Sequence, residues 1–200
     1  HRDLKHGPLI LAYTQENPGA GGNADTTALL KALVTANLPG TVAGVFWDPE
    51  SAARAHAAGE GAVVALSIGA RSGFPGETPL VARARVLRLG DGHFTGTGPF
   101  YRGGRFELGP MARVAVGSVE ILLSSRKQQA ADQAMFRHLG SEPAQARVLQ
   151  LKSSVHFRAD FGPIAEKVLV VEAPGPNTAD PGRLPFTKLP ADRRRRPTGG

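Results

Sequence analysis

The chain of 200 residues has no cysteine, which excludes disulfides, thiolate metal ligands and a cysteine nucleophile together. Aromatic residues are scarce, at 6%, and they are not interleaved with Lys and Arg, so no stacking platform for single-stranded nucleic acid is present. No apolar run approaches the roughly 18 residues of a membrane span, and no basic-then-apolar leader opens the chain. The expectation is a soluble, cytoplasmic protein with neither nucleic acid nor membrane as partner.

What is present fits that expectation. A hydrophobic content of 41% is enough to bury a core without staples. The formal charge of +7 is concentrated partly in Asp192-Arg193-Arg194-Arg195-Arg196, so residues 190–200 read as a basic, disordered tail. The chain begins at His1, without an initiator Met, and is expected to be a piece of a longer protein.

Apolar, β-rich runs at Leu9 to Tyr13 and Thr41 to Trp47 alternate with helical patterns at Asp25 to Asn37 and Pro49 to Ala58. A third run covers Ala62 to Ile68. The middle then changes character, with strand patterns at Leu80 to Leu89, His93 to Gly96, Met111 to Val116 and Val119 to Ser124, punctuated by Asp91-Gly92 and Gly117-Ser118. A helix is expected from Ala130 to Leu139, a strand from Arg147 to Leu151, a helix from Phe161 to Glu166 and a last strand from Val168 to Glu172. These patterns predict an α/β fold: a mixed sheet with parallel central strands, flanked by helices and carrying an inserted antiparallel β-meander.

Ligands of open α/β sheets gather beyond the carboxyl ends of the strands, and the segments that follow the expected strands here are polar. In Asn17-Pro18-Gly19-Ala20-Gly21-Gly22-Asn23-Ala24-Asp25-Thr26, the glycines allow close backbone approach, and Asp25 is placed to cap the next helix. Such a loop suits an anion. It lacks the Gly-Lys-Ser/Thr of a phosphate loop and the Gly-x-Gly-x-x-Gly of a dinucleotide site, and Glu16 and Asp25 would repel phosphate. A tight strand-to-helix connection without a ligand is the plainer reading. Lys152-Ser153-Ser154-Val155-His156-Phe157-Arg158 gathers fixed positive charge, hydroxyls and an imidazole able to act as acid, base or metal ligand. The plain reading there is solvated Lys and Arg, serines that cap a helix, and a satisfied core His156. Arg126, with Gln128 and Gln129, could fork onto a carboxylate or simply begin a solvated helix. The remaining histidines are scattered and show no zinc-ligand spacing, so no residue of this chain is expected to bind metal.

Asn17 to Thr27, Trp47-Asp48-Pro49-Glu50 with Ala57 to Ala62, Ser125 to Gln129, Lys152 to Arg158, Ala173-Pro174-Gly175 and Leu184-Pro185-Phe186 together resemble, in order, the C-terminal domain of MlrC-type (microcystinase C) zinc metallopeptidases. The resemblance implies one such domain over residues 1–189 and, as partner, the protein's own N-terminal domain, which bears most of the zinc ligands. It implies hydrolysis of a peptide or other amide substrate by metal-activated water. Carried onto this sequence, Lys152 and His156 become catalytic candidates, and Asn17, Gly19, Gly21, Asp25, Thr26, Arg126, Gln128, Ser153, Ser154 and Arg158 substrate-binding candidates. Glu16, Ala20, Ala24 and Ala70 depart from the family pattern, which more often has Asp at the first position and Gly at the others. Self-association into a homo-oligomer is a further expectation. The competing functions are a non-catalytic anion- or nucleotide-binding α/β module and a purely structural, oligomerising domain.

Overall fold

Leu9–Tyr13, the run LILAY, forms β1, the second strand from one edge of an eight-stranded sheet. The computed structural model describes residues 7–178, 180–190 and 193. Most of the expected basic tail therefore lies outside the described residues. The strands that follow are β2 (Thr41–Trp47), β3 (Val63–Ile68), β4 (Leu80–Gly90), β5 (His93–Thr95), β6 (Arg105–Glu107), β7 (Met111–Val116), β8 (Val119–Ser124), β9 (Val148–Leu151) and β10 (Lys167–Val171). The helices are α1 (Ala28–Ala36), α2 (Pro49–Ala58), α3 (Ala134–Arg137) and α4 (Arg158–Phe161).

The large sheet runs β10-β1-β9-β2-β8-β7-β4-β3. Its first five strands are parallel, and β7, β4 and β3 continue it antiparallel, so the mixed sheet expected from the sequence is the fold observed. Side chains alternate between the two faces. Ala43, Phe46, Ile121 and Leu123 pack on Leu30 and Leu33 of α1 and on Ala52 and Ala55 of α2. Val42, Leu122, Leu149 and Leu151 pack on the other face against Met135, Phe136, Phe157 and Phe161. Each fully buried large side chain in these layers contributes about 1.5–3 kcal/mol.

Several elements differ from their expected form. Helix α1 starts at Ala28 rather than Asp25, because the Thr27 N–H and hydroxyl both donate to the Glu77 carboxylate, at 2.7 and 3.0 Å. The cap thus comes from 50 residues away, and Asp25 instead accepts from the Ser72 backbone and hydroxyl. The helix expected from Ala130 shrinks to the single turn of α3, since Asp132 takes the Ala134 N–H and Gln133 N–H donates to Asp160. The helix expected over Phe161 to Glu166 is displaced to α4, followed by a 3-10 turn at Gly162–Ile164, where Pro163 has no N–H to extend it. Asp91-Gly92 does not fold β5 back onto β4. Instead β5 pairs with β6, a strand without a clear sequence signal, as a separate two-stranded hairpin.

Candidate functional site

The exits of β1, β2, β8, β9 and β10 open on one end of the sheet, and the 96–104 tip of the β5–β6 hairpin lies against them. Asp132 moors that tip, and Asp160 packs closely against it. Asp132 accepts the Gly98 N–H at 2.9 Å, and a Cβ on Gly98 would come within 2.5 Å of Asp160. Phe100 at the tip stacks on His156, with centroids 4.1 Å apart, and its neighbour Tyr101 meets it edge-on. The Gln128 side chain donates to the Tyr101 hydroxyl at 2.8 Å, and burial raises the pKa of that phenol.

His156 is exposed, and the Gln129 carboxamide lies 3.0 Å from its Nδ1. Gln129 in turn lies against the glycine loop: a Cβ at Gly19 would sit 2.1 Å from Gln129 Oε1, so any larger residue there would push the Gln129 side chain aside. Asn17 donates from Nδ2 to Ser154 Oγ at 3.0 Å, joining the exits of β1 and β9. Asn17, Gly19, Ser154 and His156 are therefore brought together, joined by Gln129, Phe100 and Tyr101; Asn17 and Gln129 lie buried behind the exposed His156 and Phe100. Of the three joining residues, Gln129 lies in the motif after β8, whereas no sequence pattern marked the two rings. Their only advance signal is an aromatic pair in a loop bracketed by Gly96, Gly98, Gly103 and Gly104.

The other candidates lie elsewhere around this cluster. Gly21, at φ +87°, is on the exposed loop tip with open space where a Cβ would sit. The amides of Gly19, Ala20, Gly21 and Gly22 all donate to Asn17 or Pro18, so the loop spends these donors on itself. Asp25 and Thr26 are buried beneath it. Arg126 turns away to the carbonyl and carboxylate of Glu107. Arg158 is exposed over the Phe157 ring, and Ser153 is fully buried with its hydroxyl unpaired among the described residues.

Lys152 is fully buried. Its ammonium donates to Glu16 Oε2 and to the Thr26 carbonyl, each at 3.1 Å, and lies over the rings of Phe46 and Tyr13. Burial lowers its pKa, against the opposing pull of Glu16. The Tyr13 hydroxyl meets Thr26 Oγ1 at 3.0 Å and donates to the Pro174 carbonyl, and burial holds its pKa well above the ordinary value. Beside Pro174 a cleft of about 440 Å³ is lined by Gln15, Phe74, Glu172, Asn177 and Arg183 among others. Among the described residues, no group of three His, Asp or Glu side chains is arranged to hold a metal ion. No helix among them is long and apolar enough to cross a membrane.

Residues 11–188 match the family model described as MlrC C-terminus. The chain belongs to that family. Microcystinase C of Sphingomonas sp is 31% identical over 164 residues, a match covering 82% of this chain and 32% of that protein. The crystal structure of a candidate metallopeptidase from Mesorhizobium sp. BNC1 superposes with a TM-score of 0.78 at 23% identity, over 94% of this chain and 37% of that one. That likeness carries the fold. The chain spans about a third of the length of either relative, so the family match concerns the C-terminal part of larger proteins.

Proposed function

We propose that residues 1–189 are the C-terminal domain of a metal-dependent peptidase and supply one wall of its cleft. The observation that carries this reading is the convergence of the β1, β8 and β9 exits on one exposed imidazole, in a chain 31% identical to Microcystinase C. The residues described here do not fit a zinc site by themselves, so the metal is assigned to a separate N-terminal domain and no step is routed through it.

This chain's residues then bind and orient a peptide or other amide substrate. With Nδ1 engaged by Gln129, His156 presents Nε2 to the substrate, where it stabilises developing negative charge or passes a proton. Arg158 holds a substrate carboxylate, while Asn17, Gly19, Gly21 and Ser154 shape the wall. The self-satisfied amides of the glycine loop weigh against the alternative of an anion- or nucleotide-binding module.

The test is His156→Ala in the full-length protein. Peptide hydrolysis is expected to fall about 10²-fold or more, the range for loss of a positioned acid–base group. An unchanged rate removes His156 from the mechanism. The fragment alone is expected to be inactive.

A further inference from the structure

The glycine loop begins after the 3-10 turn Thr14–Glu16 that follows β1 and ends at Thr26, just before α1, and these two ends are clamped to each other. The Thr26 N–H donates to Glu16 Oε2 at 2.9 Å. Lys152 spans the same pair, donating to the Glu16 carboxylate and to the Thr26 carbonyl. All three side chains are at most 1% exposed. The ammonium has no path to an outside reactant, and the electron-rich faces of Phe46 and Tyr13 favour its charged form.

We infer that Lys152 is a positioning residue: it staples the base of the 17–25 loop to the exit of β9, and so sets the Asn17 and Gly19 contacts that hold Ser154 and Gln129, and through Gln129 the His156 ring. The chain of contacts is continuous from Lys152 to Glu16, along the loop to Asn17 and Gly19, and across to Ser154, Gln129 and His156. Its kinetic consequence rests on the peptidase reading, whereas the staple itself does not.

Two measurements on the full-length protein test it. Lys152→Met combined with Glu16→Gln removes both charges, so neither is left buried alone. Glu16→Asp keeps both charges but shortens the reach by one methylene, and serves if the double variant does not fold. Amide exchange at Gly19, Ala20, Gly21, Gly22 and Thr26 is expected to quicken at least about 10-fold, with the β8 amides unchanged, because a local clamp opens without global unfolding. Peptide hydrolysis is expected to lose about 10-fold or more in kcat with both limbs of its pH profile retained.

Unchanged loop exchange overturns the staple. Disappearance of a pH limb overturns it too, by making Lys152 a proton-transfer group, and faster exchange with unchanged kcat overturns the link to His156. If the unaltered protein hydrolyses no peptide, the peptidase reading alone fails and the exchange data still decide the staple.

Discussion

Phe100 and His156 lie 56 positions apart in the chain, yet their rings stack at 4.1 Å with planes only 16° from parallel. Phe100 belongs to the hairpin tip, and His156 to the loop after β9. The contact defines one flank of the candidate site, and it is open to a direct spectroscopic test.

In Phe100→Ala, the His156 ring protons are expected to move downfield in a proton NMR spectrum, because the shielding face of the phenyl ring is gone. Phe100→Tyr should keep the native positions. An aromatic pair contributes about 0.5–1.5 kcal/mol, so full-length kcat/KM should fall up to about tenfold while the melting temperature changes little at so exposed a ring. An unmoved histidine spectrum would sink the stacking.

Ala70 and Ala24 both sit in the left-handed region, at φ 55° and 60°. An L side chain there costs about 1–2 kcal/mol, and glycine's extra unfolded-state entropy offsets about 0.5–1 kcal/mol of the relief. Ala70→Gly, at a half-buried position, should therefore stabilise by about 0.5–1 kcal/mol in a denaturant titration. Ala24 is 1% exposed, and losing its buried methyl forfeits about 0.8 kcal/mol, so Ala24→Gly should be close to neutral. The neighbouring Gly69→Ala should be clearly destabilising, since its Cβ would lie 2.5 Å from the Asp25 carbonyl. Equal effects at positions 24 and 70 would contradict this account.

His138 accepts the Gly92 N–H on Nε2 at 3.1 Å, which requires the neutral ring. Burial lowers its pKa, opposed by Asp91, whose carboxylate lies 3.5 Å away, and reinforced by the charge of His93. With the folded pKa below the unfolded value of about 6.5, the unfolded chain binds the extra proton first, so stability is lost as pH falls from about 6.5 through the folded pKa. His138→Gln keeps an acceptor for Gly92 without titrating. The drop in melting temperature between about pH 7 and pH 5 should be smaller in this variant than in the native protein. An identical drop would remove His138 from the pH response.

How far the sequence anticipated this molecule depended on whether the deciding partner was local. Strand β1, strand β2 and helix α2 were legible because their patterns are self-contained: Asp48 accepts from the Ser51 N–H three positions on, and Pro49 between them opens the helix, all within one turn. Helix α1 was misread at its start because Glu77 supplies the cap from across the fold. The loops that make the site were legible as polar segments after strands, but their geometry was not. Lys152 reads as a reactive cation in the sequence, and only the three-dimensional placement of Glu16, Thr26, Tyr13 and Phe46 around it reveals a buried one. Phe100 and Tyr101 were invisible for the same reason, since the hairpin that delivers them pairs with itself instead of with β4.

The strand order also has a consequence for biosynthesis. Strand β9 lies between β1 and β2, although it is made more than 100 residues after them. A nascent chain that has not reached Leu151 leaves β2 as an open edge of the sheet and β1 without any partner strand, since its other neighbour, β10, is made later still. These unpaired apolar edges persist until β9 arrives, so a truncated or stalled chain ending before this strand is prone to pair with its own copies. The last stretch to enter the sheet's interior is also the one that delivers Lys152 and His156, so the site comes into being only when the sheet closes.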